Sequence, residues 1–391
     1  MTLLEHLPPQ EVGERLRLAR ETANVTQASA ADAIGVARTT LVAIEHGQRK
    51  VRLHEIQKLA QLYHSSVNAL LRREAVHVDL VPRFRRMLGN DSASDQASDL
   101  MASLAMAEVE LENLLGIQRP RNYPPERPLL NGDVRTQAEH DAAELRQWLG
   151  LGVAPIPNLV AVLEMEIGVR VYVRRLHSSI SGLFAYDESV GACILLNASH
   201  PRERRNQSAG HETAHFIATR RKPEVLHSEV EVNSREERYA NAFARALLTP
   251  ARGVIQRFAD VIAGADTLSR KHIIVLANYF GVSREAMVRR LEELGLTKEG
   301  TWDWFSANGG ITDQQARLVL GDQALPDDAK VEADRPTTLR LNLLASEASR
   351  RSLLSEGQLA RLLHLDRLEL RGILDAYNGD PEVDNAVARP N

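Results

Sequence analysis

The chain has a single cysteine, few aromatic residues and no long apolar run. Cys193 is the one cysteine among 391 residues, which excludes a disulfide framework within the chain. It lies in an apolar strand pattern, so we expect a buried thiol and not a nucleophile. No apolar stretch approaches the roughly 18 residues of a transmembrane helix, and the first residues lack the basic start of a signal peptide. These absences predict a cytoplasmic protein without a membrane partner.

The charge is small in total but unevenly distributed. The net charge is −4, whereas residues 1–73 hold ten Lys and Arg against seven Asp and Glu, a local net of plus three. This excess permits DNA binding without requiring it. The length predicts two to four domains, and 43% hydrophobic residues suffice for packed cores.

Two histidines frame a glutamate in the sequence His-Glu-Thr-Ala-His at residues 211–215. On a helix, His211 and His215 point the same way and can bind one Zn²⁺, while Glu212 faces the open coordination position and can deprotonate a bound water. A predicted strand at residues 193–197 precedes this segment, and apolar residues follow it, as in a half-buried helix. The alternative is an ordinary surface helix with incidental histidines.

A catalytic zinc site needs a third protein ligand, and a second predicted helix at residues 234–248 supplies one. Glu237 and Asn241 share one face of this helix, which can meet the first helix at the metal. Glu236 is the competing ligand, but it lies about 100° further round the helix. The predicted metal ligands are His211, His215 and Glu237.

These two segments resemble the ImmA/IrrE family of zinc peptidases. That family pairs HExxH with a downstream helix of the pattern E-x-x-A-N/D-x-F-A…LL-x-P, and residues 237–250 read Glu-Arg-Tyr-Ala-Asn-Ala-Phe-Ala-Arg-Ala-Leu-Leu-Thr-Pro. The similarity extends from about residue 155 to residue 296. One departure is Ala214, where the family often has glycine before the second histidine. Alanine suits a helix, so we expect the ligands to be unaffected.

The resemblance implies a thermolysin-like zinc metallopeptidase with an HExxH…E ligand set. Zinc would acidify its water and polarise the scissile carbonyl, while Glu212 would take the proton and pass it to the leaving amine. Asn241 can orient a ligand histidine from outside the ligand set. His227 and Tyr239 are the candidates for stabilising the oxyanion, although His227 can also be an ordinary exposed loop histidine.

The N-terminal residues carry a second motif, which is defined by the residues that begin and end its helices. Residues 12–22 predict an amphipathic helix, Thr26 can cap a second helix, and Gly35 makes the tight turn into a third helix that ends at Gly47. Two further helices are predicted at residues 53–63 and 67–71. From about residue 10 to residue 73, the order and spacing resemble the XRE (lambda repressor/Cro type) helix-turn-helix.

In that geometry the second helix of the motif enters the major groove of double-stranded DNA. The predicted base-reading residues are Arg38, Thr39 and Thr40. Gln27 can contact a phosphate or a base edge, while Arg49, Lys50 and Arg52 lie where the DNA backbone would pass. The alternative is a protein-interaction or dimerisation module without DNA binding.

The fold class predicted from these patterns is mainly α, with an all-α helix-turn-helix domain and a small α+β zinc peptidase domain. The predicted domains are residues 1–75 (helix-turn-helix), 76–130 (helical connector and proline-rich linker), 131–297 (peptidase) and 298–391 (C-terminal helices, for interaction or sensing, with a disordered tail). Apolar residues at helical spacing between 100 and 114 favour a connecting or dimerising helix pair, or packing within a domain. Residues 355–377 resemble a second helix-turn-helix-like unit without a basic face, more suited to interaction than to DNA contact.

The combined prediction is a zinc endopeptidase joined to its own DNA-binding domain. By resemblance, such enzymes cleave a helix-turn-helix repressor in stress-response, mobile-element, phage-defence or toxin–antitoxin regulation. The predicted partners are operator DNA, a repressor substrate and a second copy of the chain, because this module commonly reads operators as a dimer. One alternative is an XRE regulator whose metal site is structural or sensory. Another is a toxin–antitoxin component that acts by interaction alone.

Overall fold

The computed structural model describes residues 9–23, 25–63, 92–220, 234–321 and 338–378. The chain divides into two compact units, Met1–His77 and Val78–Asn391. Helices dominate both, and one three-stranded sheet lies in the second unit, which confirms the predicted fold class. In the described ranges no helix has the length and apolar character that a membrane span requires.

The first unit is a helical bundle in which Thr26 and Gly35 begin and end the second helix as predicted. Its described helices are α1 (Pro9–Thr22), α2 (Gln27–Ile34), α3 (Arg38–Glu45) and α4 (Leu53–Leu62). The Thr26 hydroxyl accepts a hydrogen bond from the Ser29 amide at 3.2 Å and starts α2. Gly35 ends α2 with a φ of 71°, in the left-handed region that glycine adopts without strain. The helix predicted at residues 67–71 lies outside the described residues.

The sheet of the second unit contains β1 (Arg170–Arg174), β2 (Gly182–Asp187) and β3 (Gly191–Asn197) in the order β1-β3-β2. The central strand β3 pairs parallel with β1 and antiparallel with β2. All seven residues of β3 are buried. A strand that is apolar on both sides needs cover on both faces of its sheet, and the helices of this unit provide it.

Helices surround this sheet in the order of the chain. They are α5 (Ser92–Leu115), α6 (Val134–Trp148), α7 (Leu159–Ala161), α8 (Arg202–Ala218), α9 (Arg235–Leu248), α10 (Ala251–Ile262), α11 (Arg270–Phe280), α12 (Arg284–Glu293), α13 (Thr301–Ala307), α14 (Asp313–Leu320), α15 (Leu339–Arg350), α16 (Glu356–Leu362) and α17 (Arg367–Asn378). A π-helical turn, Val162–Ile167, continues α7.

Two hydrophobic cores lie on opposite faces of the sheet. Ile194 and Leu196 of β3 belong to the core that includes α6, α8 and α9. Cys193 and Leu195 belong to the other core, which includes α5 and α15–α17. The apolar face of α5 therefore packs within this unit, and the C-terminal helices share its core. The helix α8, which carries residues 211–215, lies on the first face.

Candidate metal centre

The predicted metal ligands come from two adjacent helices, α8 and α9. The two helices approach closely at Gly210, where a Cβ atom would lie 3.1 Å from the Ala244 Cβ and 3.2 Å from its Cα. A side chain at residue 210 would push the helices apart. At the start of α9, the Ser234 hydroxyl accepts a hydrogen bond from the Glu237 amide at 3.1 Å. This cap fixes the turn that presents the Glu237 carboxylate to α8.

His211, His215 and Glu237 form one cluster, with one potential ligand atom of each within 4.8 Å of the others. The two Nε2 atoms are 3.1 Å apart. In the Glu237 carboxylate, Oε2 lies 3.3 Å from Nε2 of His211 and Oε1 lies 3.4 Å from Nε2 of His215. Tetrahedral Zn²⁺ with bonds of 2.0–2.2 Å separates its ligand atoms by about 3.3 Å. The three side chains are thus close enough together to hold a single zinc ion.

The chemistry of the donor atoms also fits a metal. Among the described residues, Oε1 of Glu237 is buried and has no hydrogen-bond partner of suitable geometry, although His215 Nε2 is close by. Burial by itself would raise the pKa of Glu237, but the hydrogen bonds and charges of His211 and His215 hold it well below its usual range. The carboxylate is therefore ionised at neutral pH, as metal binding requires.

Asn241 holds His211 from the side away from the cluster. Its Oδ1 lies 3.2 Å from Nδ1 of His211. If the imidazole donates this Nδ1 hydrogen, its Nε2 keeps a lone pair directed at the cluster. Burial would lower the pKa of His211, whereas the hydrogen bond to Glu237 and the carboxylate of Glu212 raise it. The side chain predicted to orient a ligand histidine is thus in place to do so.

Glu212 is buried and touches the edge of the sheet. A Cβ atom on Gly182, the first residue of β2, would lie 2.9 Å from Glu212 Oε1 and 3.3 Å from its Cγ. Only a residue without a side chain allows the carboxylate this position. Farther along the same face of β2, the ring of Phe184 meets that of Phe216 edge-on, with centroids 6.0 Å apart. The strand β2 therefore positions the turn of α8 that carries Glu212.

Of the two residues predicted to stabilise the oxyanion, Tyr239 is described by the structure and His227 is not. The Tyr239 hydroxyl donates a hydrogen bond to Asp141 on α6 at 2.9 Å. Burial and the Asp141 charge raise the pKa of Tyr239 far above its usual value, so its proton is committed to α6. His227 lies outside the described residues.

In the first unit, Gln27 links a predicted base-reading residue to a buried ion pair. Its Nε2 donates to Glu45 at 3.0 Å, and its Oε1 accepts from Arg38 at 3.4 Å. Glu45 is buried and pairs with Arg20 at 2.6 Å. Arg38 and Thr39 are exposed at the start of α3, while Thr40 is half-buried. The Gln27 amide is thereby placed to orient Arg38.

Among the three predicted contacts to the DNA backbone, Arg49 and Lys50 differ in whether their charge is already paired. Both terminal nitrogens of Arg49 donate to Glu55, at 3.1 and 2.8 Å. Glu55 also accepts from the Arg52 amide at 2.8 Å, which caps α4. Lys50 is exposed. Arg49 therefore serves the fold of this unit, and the exposed Lys50 has the freer charge for a phosphate.

Comparison with known families agrees with both parts of the chain. Residues 164–292 match the model of the family described as IrrE N-terminal-like domain, a peptidase family. This range contains the complete metal cluster and Glu212. Residues 11–73 match the model of a helix-turn-helix domain. A comparison with curated proteins finds no match. Two parts of the chain thus match family models, the N-terminal part that of a helix-turn-helix domain and the middle part that of the IrrE N-terminal-like peptidase family.

Proposed function

We propose that this protein is a zinc-dependent endopeptidase that cleaves a helix-turn-helix repressor or a related regulatory protein and that binds DNA through its own N-terminal unit. The observation that carries the proposal is the cluster of His211, His215 and Glu237, with the Glu237 carboxylate 3.3–3.4 Å from both imidazoles, on the helix that also carries Glu212. Three protein ligands leave a fourth position open, which is typical of catalytic zinc and not of structural zinc. The regulatory settings are stress response, mobile elements, phage defence or toxin–antitoxin control.

The residues divide the work of peptide hydrolysis among them. His211, His215 and Glu237 would hold the metal, which supplies a Lewis acid and a water that is acidic enough to react at neutral pH. Glu212 accepts the proton of the attacking water on its carboxylate and delivers it to the leaving amine. Gly182 leaves room for this carboxylate. Asn241 keeps the His211 ring in the orientation that exposes Nε2.

The edge of the sheet offers a place for the substrate backbone. In the described part of the unit, β2 pairs with β3 on one side and with no strand on the other. Its first residue lies against Glu212. An extended peptide can add to such an edge through main-chain hydrogen bonds, which would align its scissile carbonyl beside the base. Extended binding requires a substrate segment that is unfolded or can unfold.

Metal content tests the proposal directly. We expect about one zinc per chain in the purified wild type by atomic emission, in line with three protein ligands at one site. His215→Ala should lose most of this zinc and all cleavage of a repressor encoded beside the gene. His140→Ala is the matched control, because His140 is exposed on α6. A zinc-free wild type that still bound its promoter DNA would contradict the peptidase and favour a regulator.

A methyl group on residue 182 should impair activity without impairing the fold. Gly182→Ala places a carbon 2.9 Å from Glu212 Oε1, and the flexible carboxylate must move aside. A displaced base should lower kcat/KM about tenfold to a hundredfold, while the melting temperature stays near that of the wild type. Gly372→Ala is the control, since a Cβ there meets no atom within 4 Å. Full activity in Gly182→Ala would refute the assigned position of Glu212.

The DNA-binding assignment predicts a specific loss at the operator. Arg38→Ala should weaken binding to the promoter fragment by about 1–3 kcal/mol, because a base contact is removed. Binding to unrelated DNA should change much less. Fluorescence anisotropy at several salt concentrations measures both affinities. Lys58→Ala removes the same charge from exposed α4 and serves as the control. An equal loss on both DNAs would assign Arg38 to the phosphate backbone.

A further inference from the structure

Arg204 lies on the face of α8 that carries the metal ligands. It precedes His211 by two helical turns, so the two side chains differ by about 20° around the helix axis and about 10 Å along it. The exposed Arg204 guanidinium donates from Nη2 to the Ser181 hydroxyl at 3.2 Å. Ser181 directly precedes Gly182, which lies against Glu212. Arg204 therefore stands at the start of β2, beside the residue that contacts Glu212.

The charge of Arg204 is not neutralised within the described ranges. No carboxylate of the described residues lies within ion-pair distance of its guanidinium, and its one hydrogen bond goes to a neutral hydroxyl. Its field is felt nearby, because burial lowers the pKa of His200 and the charge of Arg204 lowers it further, with a smaller contribution from Arg205. The surface at the start of β2 thus has a positive potential beside Arg204.

We propose that Arg204 binds an acidic side chain of the substrate, so that the peptidase prefers proteins with Asp or Glu within about three residues of the bond that is cut. The guanidinium lies at Ser181 and the Glu212 carboxylate at the adjacent Gly182, so a few residues of an extended chain, which rises about 3.3 Å per residue, span the distance between them. The Ser181 hydroxyl holds one nitrogen of the guanidinium. The remaining N–H groups of the fork are free to pair with a carboxylate.

The preference rests on the proposed peptidase function, and substrate variants can test the two separately. The cut site of a repressor cleaved by the wild type is mapped by mass spectrometry. Glu, Gln and Lys are then placed at each of the four positions on either side of the cut. We expect one position, about three residues away, where Glu exceeds Lys about fivefold in kcat/KM at low salt, and where added salt reduces the ratio.

Charge reversal in the enzyme gives the decisive comparison. Arg204→Glu should invert the preference at that position, and Arg204→Gln should abolish it. Arg202→Glu makes the same charge change on the opposite face of α8, about 180° from His211, and should keep the wild-type preference. A wild type without charge preference near the cut, or a preference that survives in Arg204→Glu, overturns the role of Arg204. Absence of cleavage by the wild type, or cleavage at the wild-type rate in a zinc-free His215→Ala protein, overturns the peptidase itself and the preference with it.

Discussion

Glu212→Gln should abolish most proteolysis while the protein keeps its metal and its fold. The amide has the shape of the carboxylate but cannot accept the proton of the attacking water, and a general base contributes about 10²–10⁴ in rate. We therefore expect kcat/KM on a cleavable repressor to fall by about that factor. The ligands His211, His215 and Glu237 are unchanged, so zinc content by atomic emission should equal that of the wild type.

The matched control for this variant is on the same helix. Glu203→Gln makes the same substitution about 180° round α8 from Glu212, and it should leave kcat/KM close to the wild-type value. Residual activity above a tenth in Glu212→Gln would show that Glu212 is not the base. Loss of zinc in Glu212→Gln would instead indicate that the carboxylate helps to hold the metal. The lost activity would then follow from the lost metal and would not show that Glu212 is the base.

The ligand cluster was predictable because its spacing is local. Residues four apart on α8 share a face, and Ser234 with the following acidic turn marks the start of α9. Two helices with one ligand-bearing face each can meet in few ways. The same local signals predicted Thr26 and Gly35 at the ends of α2. Helix caps and the helical periodicity therefore predict helix ends and ligand-bearing faces best where short segments determine the structure.

The contacts that tune the site were not predictable, because they join distant segments. Gly182 lies thirty positions before Glu212 in the sequence, and its missing side chain has meaning only when β2 is placed beside α8. The apolar residues of α5 showed that the helix has a buried face, but they did not show that this face covers the sheet together with α15.

Glu108→Gln should destabilise the second unit by about 3–5 kcal/mol, the usual effect of breaking a buried ion pair. The Glu108 carboxylate of α5 is 2% exposed and forms ion pairs with Arg119, Arg170 and Arg340. It also accepts a hydrogen bond from the Tyr172 hydroxyl at 2.7 Å. These partners come from the linker, β1 and α15, so one carboxylate joins all three to α5. Its removal leaves buried guanidinium groups without sufficient negative charge.

The pH dependence of this loss has a definite sign. Burial would raise the pKa of Glu108, but the charges of Arg170 and Arg119 together with the Tyr172 hydrogen bond lower it below its usual value. A carboxyl whose pKa is lowered by folding stabilises the protein above its unfolded pKa, about 4.3, and this stabilisation is lost as the pH falls through the folded value. The difference between wild type and Glu108→Gln should therefore be largest near pH 7 and shrink in acid.

Tryptophan fluorescence in urea can measure this difference for the second unit alone, since Trp148, Trp302 and Trp304 all belong to it. Both proteins are unfolded at the same zinc concentration, because a bound metal stabilises by mass action. Glu299→Gln is the control, as Glu299 is exposed and its loss should change the free energy of unfolding by no more than about 0.5 kcal/mol. If Glu108→Gln were equally harmless at pH 7, the charge of Glu108 would not be what couples α5 and α15 to the sheet.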